Sequence, residues 1–166
     1  AGVLAPDAGD VRLAGDVVEF SNPREALDVG IAMIFQELNL IGNLTVAENI
    51  FLGREPLNRL GLIDTQEMNR KAADLLKQLD LSVAPTTPLG NLRVGQQQVV
   101  EIAKAISHDV RLLIMDEPTS AITEHEIEVL FGIIDKLKRK GVAIAYITHK
   151  LDELPRIGDD AVVMRD

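Results

Sequence analysis

Apolar residues recur along this chain with two different periods, and these periods predict alternating strands and helices. Short and almost wholly apolar runs predict buried strands at 31–35, 112–115, 142–147 and 161–164. An apolar residue at every third or fourth position predicts helices at 23–29, 97–107 and 124–140, with a further helical stretch after Asp64. Strands that alternate with helices predict an α/β fold with a mostly parallel sheet and helices on both of its faces.

Turn and capping residues place the boundaries of these elements. The apolar run at 11–20 is interrupted by Ala14, Gly15 and Asp16, which predicts a hairpin. Three pairs have the spacing of a capping box: Thr45 with Glu48, Asp64 with Glu67, and Thr123 with Glu126. The predicted helix at 124–140 also ends on basic residues followed by Gly141, as a helix C-terminus favours.

Composition narrows the possible functions. A chain of 166 residues fits one domain with a sizeable core. A formal charge of −9 argues against a nucleic-acid partner, which favours basic surfaces. The chain has no cysteine, which excludes disulfides and thiolate metal sites and agrees with a cytosolic protein. The longest apolar runs are only strand-sized, and no signal-peptide pattern is present.

Asp116 and Glu117 follow directly after a fully apolar predicted strand. In open α/β sheets ligands bind at the carboxyl ends of the strands. An Asp at this place can hold Mg²⁺, and a neighbouring carboxylate can orient or deprotonate an attacking water. The alternative is a solvated acidic pair in a corner after a strand. The sequence Pro118-Thr119-Ser120 that follows, together with His149 after the next strand, favours the functional interpretation.

His149 and Gln36 also follow predicted strands, on the same edge of the sheet. An imidazole there can bond a phosphate or a water, and an amide oxygen can reach a metal ion or a water. Taken singly, either residue could equally be a plain strand-end residue. His108 and His125 lie in polar turn or helix-start contexts, and we interpret both as plain capping or packing residues.

Gly95 and three consecutive glutamines stand at the start of the helix predicted at 97–107. A helix N-terminus offers free N–H groups and a partial positive charge, and therefore favours anions. An ordinary glycine-containing turn before a helix is the alternative. A second amphipathic stretch, at 45–54, could dock a partner helix or could simply face the core.

Together these motifs resemble the ATPases of the ABC transporter family, in the family's order and over essentially the whole chain. Leu112-Leu113-Ile114-Met115-Asp116-Glu117 resembles the Walker B strand, and Phe35-Gln36 resembles the Q-loop. The remaining motifs are the signature motif (Leu92, Arg93, Val94, Gly95 and Gln96), the D-loop (Ser120, Ala121, Ile122 and Thr123) and the H-loop (His149). The segments 35–40, 43–55, 94–98 and 148–153 resemble the branch that imports ribose, galactose and related sugars, and within it the first of two nucleotide-binding domains.

The resemblance implies a P-loop NTPase-like fold, ATP as substrate and Mg²⁺ as cofactor. Asp116 would bind Mg²⁺, Glu117 would act as general base, His149 would contact the γ-phosphate, and Gln36 would sense the metal and the water. The signature residues would close over ATP that is held by a second nucleotide-binding half. Residues 37–54 would face a transmembrane permease subunit, which works with a periplasmic sugar-binding protein. The protein would then lie at the cytoplasmic face of the inner membrane, with no nucleic-acid partner.

The resemblance also implies a division of the chain. Residues 1–37 and 111–166 would form part of the catalytic core, and residues 38–110 would form the helical subdomain with the signature motif. Residues 1–5 would be the end of the helix that follows the phosphate-binding loop. The chain begins without Met and ends directly after a predicted strand, so we interpret it as a single domain truncated at its N-terminus.

Two departures from the family matter. The phosphate-binding Gly-x-x-x-x-Gly-Lys-Ser/Thr loop, Walker A, is missing, because no Gly-Lys pair occurs in the sequence. Arg93 stands where the family has a serine, which predicts a weakened or altered signature surface. We therefore expect no measurable hydrolysis by this chain alone and a tendency to self-associate. A non-enzymatic docking module and, less favoured, a DNA-handling ATPase are the alternative functions.

Overall fold

The computed structural model describes residues 8–164. Near the start of this range, β1 (Val11–Leu13) and β2 (Asp16–Val18) pair antiparallel as the predicted hairpin. The turn between them places Ala14 at φ 53° and Gly15 at φ 94°, two successive left-handed residues that match the twist of a two-residue hairpin. The helix expected at residues 1–5 lies outside the described range.

A parallel sheet of three strands positions the candidate site. It consists of β3 (Ile31–Ile34), β4 (Leu112–Asp116) and β5 (Ala143–Ile147), with β4 in the centre. Ile34 pairs with Met115, and Asp116 pairs with Ile147. All three strands therefore end at one edge of the sheet, which confirms the predicted parallel arrangement.

Six α-helices and one 3-10 helix (Leu89–Asn91) accompany the strands in the described range. The helices are α1 (Pro23–Asp28), α2 (Val46–Phe51), α3 (Thr65–Gln78), α4 (Val94–Ile106), α5 (Glu124–Arg139) and α6 (Leu154–Ile157). The structure confirms the capping boxes of α2 and α5, and Asp64 accepts a bond from the amide of Glu67 at the start of α3.

One hydrophobic core joins the sheet to the helices. Ile34, Leu113 and Met115 are fully buried on one face of the sheet. The predicted apolar stripe of α5 is buried as well, at Ile127, Leu130, Phe131, Ile134 and Leu137. The ring of Phe131 meets that of Tyr146 edge-on at 6.4 Å, so that α5 is fixed against β5.

The stretch at 45–54 packs inward rather than outward. Five of the six residues of α2 are buried, including Val46, Ile50 and Phe51. One of these five is Asn49, which is fully buried and bonds the backbone of the preceding turn at Ile41 and Thr45. Over the helix itself, the core-facing interpretation of this stretch is therefore the one that the structure supports.

Three details of the prediction are wrong. Helix α4 begins at Val94 rather than 97, because the Gln96 side chain accepts a bond from the Arg93 amide and so closes an earlier first turn. Residues 161–164 form no strand: Val162, Val163 and Met164 are about nine-tenths exposed and pair with no strand of the described chain. Helices also do not cover both faces of β5, whose alternate residues Ala143, Ala145 and Ile147 are exposed.

The division into residues 1–37 with 111–166 and residues 38–110 stays a prediction. Within residues 8–164, no helix is both long and apolar enough to cross a membrane.

Candidate active site

The candidate site is built where β4 and β5 end. Asp116 is the last residue of β4, and the amide of Glu117 donates to the carbonyl of Ile147 at 3.0 Å, which continues the pairing one residue past the strand. Glu117 then adopts φ 45°, a left-handed conformation that is uncommon for a residue with a side chain. A strained backbone conformation persists only where the surrounding structure holds it in place, and such residues cluster at functional sites.

The turn after β4 brings Glu117 to His149. Nδ1 of His149 lies 2.9 Å from Oε1 of Glu117. The side chain of Glu117 is 28% exposed and that of His149 is 69% exposed. An ionised carboxylate can only accept, so this contact assigns the proton to Nδ1 and leaves Nε2 free to bond another group. The two residues that sequence reasoning placed on one edge are therefore in direct contact.

A buried carboxylate lies beneath this pair. Glu153 is 4% exposed and accepts hydrogen bonds from Thr119 Oγ1 at 2.6 Å, Tyr146 OH at 2.8 Å and Thr148 Oγ1 at 3.0 Å. The ammonium group of Lys150 lies 3.7 Å away. Burial by itself raises the pKa of Glu153, but the three hydroxyl donors and Lys150 outweigh it, and the pKa is lowered.

Asp116 and Gln36 occupy positions that suit a hard cation. Asp116 is partly exposed at the end of β4. Ile34 of β3 pairs with Met115 of β4, so Gln36 and Glu117, each two residues further on, leave the sheet at the same level. Within residues 8–164, no three metal-binding side chains of the Asp, Glu, His or Cys type cluster together. Mg²⁺ is usually held by one or two carboxylates with waters and substrate phosphates, so the oxygen donors present here fit it.

The signature residues lie at the start of α4. Arg93 and Val94 are exposed, Leu92 and Gln96 are partly buried, and Gly95 is buried. Gly95 packs closely against α5, since a Cβ at this position would lie 2.3 Å from the Glu126 carboxyl carbon. The Thr123 amide and hydroxyl, the Gly95 amide and the Arg93 charge outweigh burial and lower the pKa of Glu126. A carboxylate thus already neighbours the N–H groups of this helix end.

The D-loop residues Ser120 and Ala121 are exposed. The amide of Ser120 donates to the Glu117 carbonyl at 3.1 Å, and the loop is thereby attached to the strained residue at the end of β4. A separate groove of about 670 Å³ lies between α1, β3 and α4, and none of the candidate site residues lines it.

Sequence reasoning missed the roles of Glu153 and Glu126. Glu153 lies in the segment 148–153, which carried the resemblance but suggested no role for this residue. Glu153 comes four residues after His149, and this spacing alone does not indicate a buried side chain. Glu153 is buried because the turn after β5 places its carboxylate against Tyr146 of that strand. Glu126 was interpreted only as the third residue of a capping box. His108 is partly buried with a pKa lowered mainly by burial, in keeping with a packing residue.

A parallel sheet with carboxylates and a histidine at its carboxyl edge, next to a glycine-containing helix start, defines a nucleotide-handling α/β domain. Comparison with known proteins gives the family. The profile of the ABC transporter family matches residues 1–120, and this chain belongs to that family.

Individual relatives agree with this assignment. The chain is 63% identical over its whole length to the ribose import ATP-binding protein RbsA of Rhodopirellula baltica, and it spans 32% of that protein. Among solved structures, it resembles the ADP conformation of an ATP-binding cassette of an ABC transporter, with a TM-score of 0.79 and 28% identity over 94% of this chain and 65% of the other. It also resembles a dimeric post-hydrolysis cassette bound to ADP and Pi, with a TM-score of 0.70 and 26% identity over 90% of this chain and 66% of the other.

Proposed function

We propose that this chain is part of the ATP-hydrolysing subunit of a bacterial sugar importer of the ribose and galactose type. The observation that carries the proposal is the 2.9 Å contact between Glu117 and His149 at the carboxyl edge of the parallel sheet. Hydrolysis of ATP needs a group that orients or deprotonates water and a group that meets the terminal phosphate. A carboxylate and an imidazole held together in this way supply both.

Each residue of the edge has a role in this proposal. Glu117 takes the proton of the attacking water. His149 keeps Nδ1–H on Glu117 and, when both ring nitrogens carry a proton, donates Nε2–H to an oxygen of the γ-phosphate. Asp116, assisted by Gln36, holds Mg²⁺, which neutralises phosphate charge when it is bound. The φ of 45° at Glu117 keeps its carboxylate turned toward His149 rather than along the strand.

The signature residues Leu92 to Gln96 act on a second nucleotide-binding half in this proposal. The helix start at Val94 offers N–H groups to the phosphates of ATP bound by that half once Glu126, which bonds the Gly95 amide, has turned away. Ser120 and Ala121 are exposed beside Glu117, where a D-loop would meet the other half. The active unit is then a head-to-tail pair of halves.

The further partners follow from the import function. The exposed residues of the segment 37–54, which lie on either side of the buried helix α2, face the transmembrane permease subunit. The periplasmic sugar-binding protein acts through that subunit. The ATPase would lie peripherally at the cytoplasmic face of the inner membrane. These assignments draw support from the sequence similarity to a ribose import ATP-binding protein, of which the chain spans 32%.

Calorimetry of Mg-ATP binding tests the proposal. The 166-residue chain would be compared with a version extended at its N-terminus by the corresponding phosphate-loop segment of the 63% identical relative. We expect only the extended protein to bind Mg-ATP, because the phosphate-loop amides and lysine supply most of the phosphate affinity. A Glu117→Gln change in the extended protein should leave binding intact. Equal binding by both versions would contradict the proposed site.

The second candidate is a docking module without turnover. It is favoured by one observation: the Glu126 carboxylate bonds the Gly95 amide, so that an N–H group which a phosphate would use at the start of α4 is already taken. This candidate predicts that the extended protein binds Mg-ATP but hydrolyses it no faster than its Glu117→Gln variant does. A clear difference in hydrolysis between these two proteins excludes it.

A further inference from the structure

Glu153 is an almost fully buried carboxylate for which the proposed function gives no role. A carboxylate at 4% exposure loses most of its hydration, which is costly unless hydrogen bonds replace it. Here hydroxyl groups of Thr119, Tyr146 and Thr148 all donate to it, two to Oε2 and one to Oε1. The surroundings of Glu153 therefore match a group with two acceptor oxygens, as a carboxylate has.

The donors come from both sides of the catalytic pair. Thr119 is two residues after Glu117, in the turn that leaves β4, whereas Thr148 directly precedes His149 at the end of β5. Thr119 bonds Oε1 at 2.6 Å and Thr148 bonds Oε2 at 3.0 Å, so one carboxylate connects the two segments. Lys150 repeats the connection, since its Nζ donates to the Thr119 carbonyl at 3.2 Å and its amide donates to Thr148 Oγ1 at 3.0 Å.

We propose that Glu153 is a positioning residue, whose two bridging hydrogen bonds hold the Glu117 and His149 segments at the separation that lets these side chains meet. Glu153 itself touches neither side chain in this account. This inference rests on the proposed function in one respect only, namely that Glu117 and His149 act in ATP hydrolysis. The positioning can be measured in the protein without nucleotide.

A variant series separates positioning from simple stability. Glu153→Gln turns one acceptor into a donor and places it against a hydroxyl donor. Thr119→Val removes one bridging bond and keeps the shape of the side chain. Tyr146→Phe is the matched control, because it removes a hydroxyl that bonds the same carboxylate at 2.8 Å from within β5 but leaves the Thr119 and Thr148 bonds to Glu153 in place.

The readout is ¹⁵N NMR of the imidazole nitrogens in the histidine-labelled 166-residue chain without nucleotide. The chain has three histidines, so a His149→Gln variant assigns the signal. We expect the wild type and Tyr146→Phe to show a hydrogen-bonded Nδ1–H tautomer. We expect Thr119→Val and Glu153→Gln to lose that signature. Retention of the signature in folded Glu153→Gln, or equal loss in Tyr146→Phe and Thr119→Val, overturns the proposal.

Kinetics of the N-terminally extended protein supply the second readout, which also serves if Glu153→Gln does not fold. Loss of a supporting residue around an active site typically costs about tenfold or more in activity. We expect Thr119→Val to lower kcat by about this factor with KM changed by less than about twofold, and Tyr146→Phe to leave both near wild type. Equal kcat values for Thr119→Val and Tyr146→Phe overturn the proposal. If the NMR signature is lost as expected but the extended wild-type protein hydrolyses no ATP, the proposed function fails and the positioning stands.

Discussion

His149 Nδ1 and Glu117 Oε1 lie 2.9 Å apart although 32 residues separate them in sequence. The contact exists because β4 and β5 are register-paired neighbours, with Asp116 opposite Ile147. The left-handed turn at Glu117 and the extension past β5 then bring the two side chains together over a buried carboxylate. The site is therefore a product of sheet topology, and perturbing its supports should be measurable.

Asn49 supports the segment between β3 and α2. It is fully buried, accepts from the Ile41 amide at 2.7 Å and donates to the carbonyls of Ile41 and Thr45, both at 3.0 Å. We expect Asn49→Ala to lower the free energy of unfolding by about 2 kcal/mol, because these backbone groups lose their partner. Asn49→Asp should cost more at neutral pH, since an oxygen replaces the donor facing two carbonyls.

Urea unfolding of the chain measures both changes. The exposed Asn43→Ala variant is the control and should stay within about 0.5 kcal/mol of wild type. An Asn49→Asp protein as stable as Asn49→Ala would show that the donated bonds contribute nothing.

Glu101 gives a pH dependence of opposite sign to that of most carboxylates. It is 6% exposed, and burial raises its pKa above the usual 4.5, more than the Asn39 amide and the Lys104 charge lower it. A raised pKa means that the folded state favours the protonated form. The stability from this group is then fully present below pH 4.5 and is lost as pH rises through the folded-state pKa.

Glu101→Gln should therefore stabilise the fold at pH 7, by about 1 kcal/mol, and lose this advantage below the usual pKa. Among the described residues Oε2 of Glu101 has no hydrogen-bond partner, which strengthens the expectation. Thermal unfolding between about pH 4 and pH 7 provides the measurement, with the exposed Glu19→Gln as control. A Glu101→Gln protein that is less stable than wild type at pH 7 would show that the ionised form is favourably held.

Gly95 and Glu126 should be coupled in stability. A methyl group at Gly95 meets the Glu126 carboxyl, which is also bonded to the amide and hydroxyl of Thr123 at 2.9 Å. Gly95→Ala should therefore force Glu126 off its cap and cost about 1 kcal/mol beyond any gain in helix propensity. With Glu126 already changed to Ala, the same substitution should cost nothing.

A double-mutant cycle in urea measures this coupling, and additivity of the two changes would contradict it. Gly132→Ala in α5 is the matched control. A Cβ at Gly132 meets nothing within 4 Å, so this change should stabilise the chain by about 0.5–1 kcal/mol.

Arg93→Ser should restore a capping side chain to α4 and a small hydroxyl to the signature motif. Arg93 precedes the helix with φ −67° and ψ 155°, a geometry in which serine accepts a bond from the first turn. We expect a stability gain of about 1 kcal/mol in the chain and faster ATP hydrolysis by the extended protein, by a factor of about five. Arg93→Ala separates loss of bulk from gain of the hydroxyl. Equal stability and equal hydrolysis rates of the Arg93→Ser and Arg93→Ala variants would show that the serine hydroxyl contributes nothing.

The fold was largely predictable because local patterns and tertiary packing agree. The stripe of α5 and its Thr123 box indicated a helix that the core indeed buries. The predicted strand at 161–164 is wrong because here the local pattern and the tertiary packing disagree. An apolar run becomes a strand only if it pairs with another strand, and the sequence of the run does not show whether such a partner exists. The start of α4 was placed too late because Gly95 and the β-branched Val94 disfavour a helix, while the Gln96 side chain supplies the missing cap.

The site divides in a similar way. Asp116, Glu117, His149 and Gln36 could be placed on one edge, since each follows an apolar run and parallel strands end together. The contact between Glu117 and His149 could not, because it depends on one backbone angle and on the turn after β5. The burial of Glu153 could not be predicted either, because sequence patterns of burial rest on apolar residues and a carboxylate is not one.

Single-turnover hydrolysis of Mg-ATP by the N-terminally extended protein tests the central claim most directly. The claim is that Glu117, held by His149, activates the water. We predict that Glu117→Gln lowers the rate by about 10²–10⁴-fold while ATP binding is retained, and that His149→Ala lowers it as well. The exposed Glu124→Gln, in the first turn of α5, should leave the rate unchanged. A Glu117→Gln rate within about twofold of wild type would contradict the account.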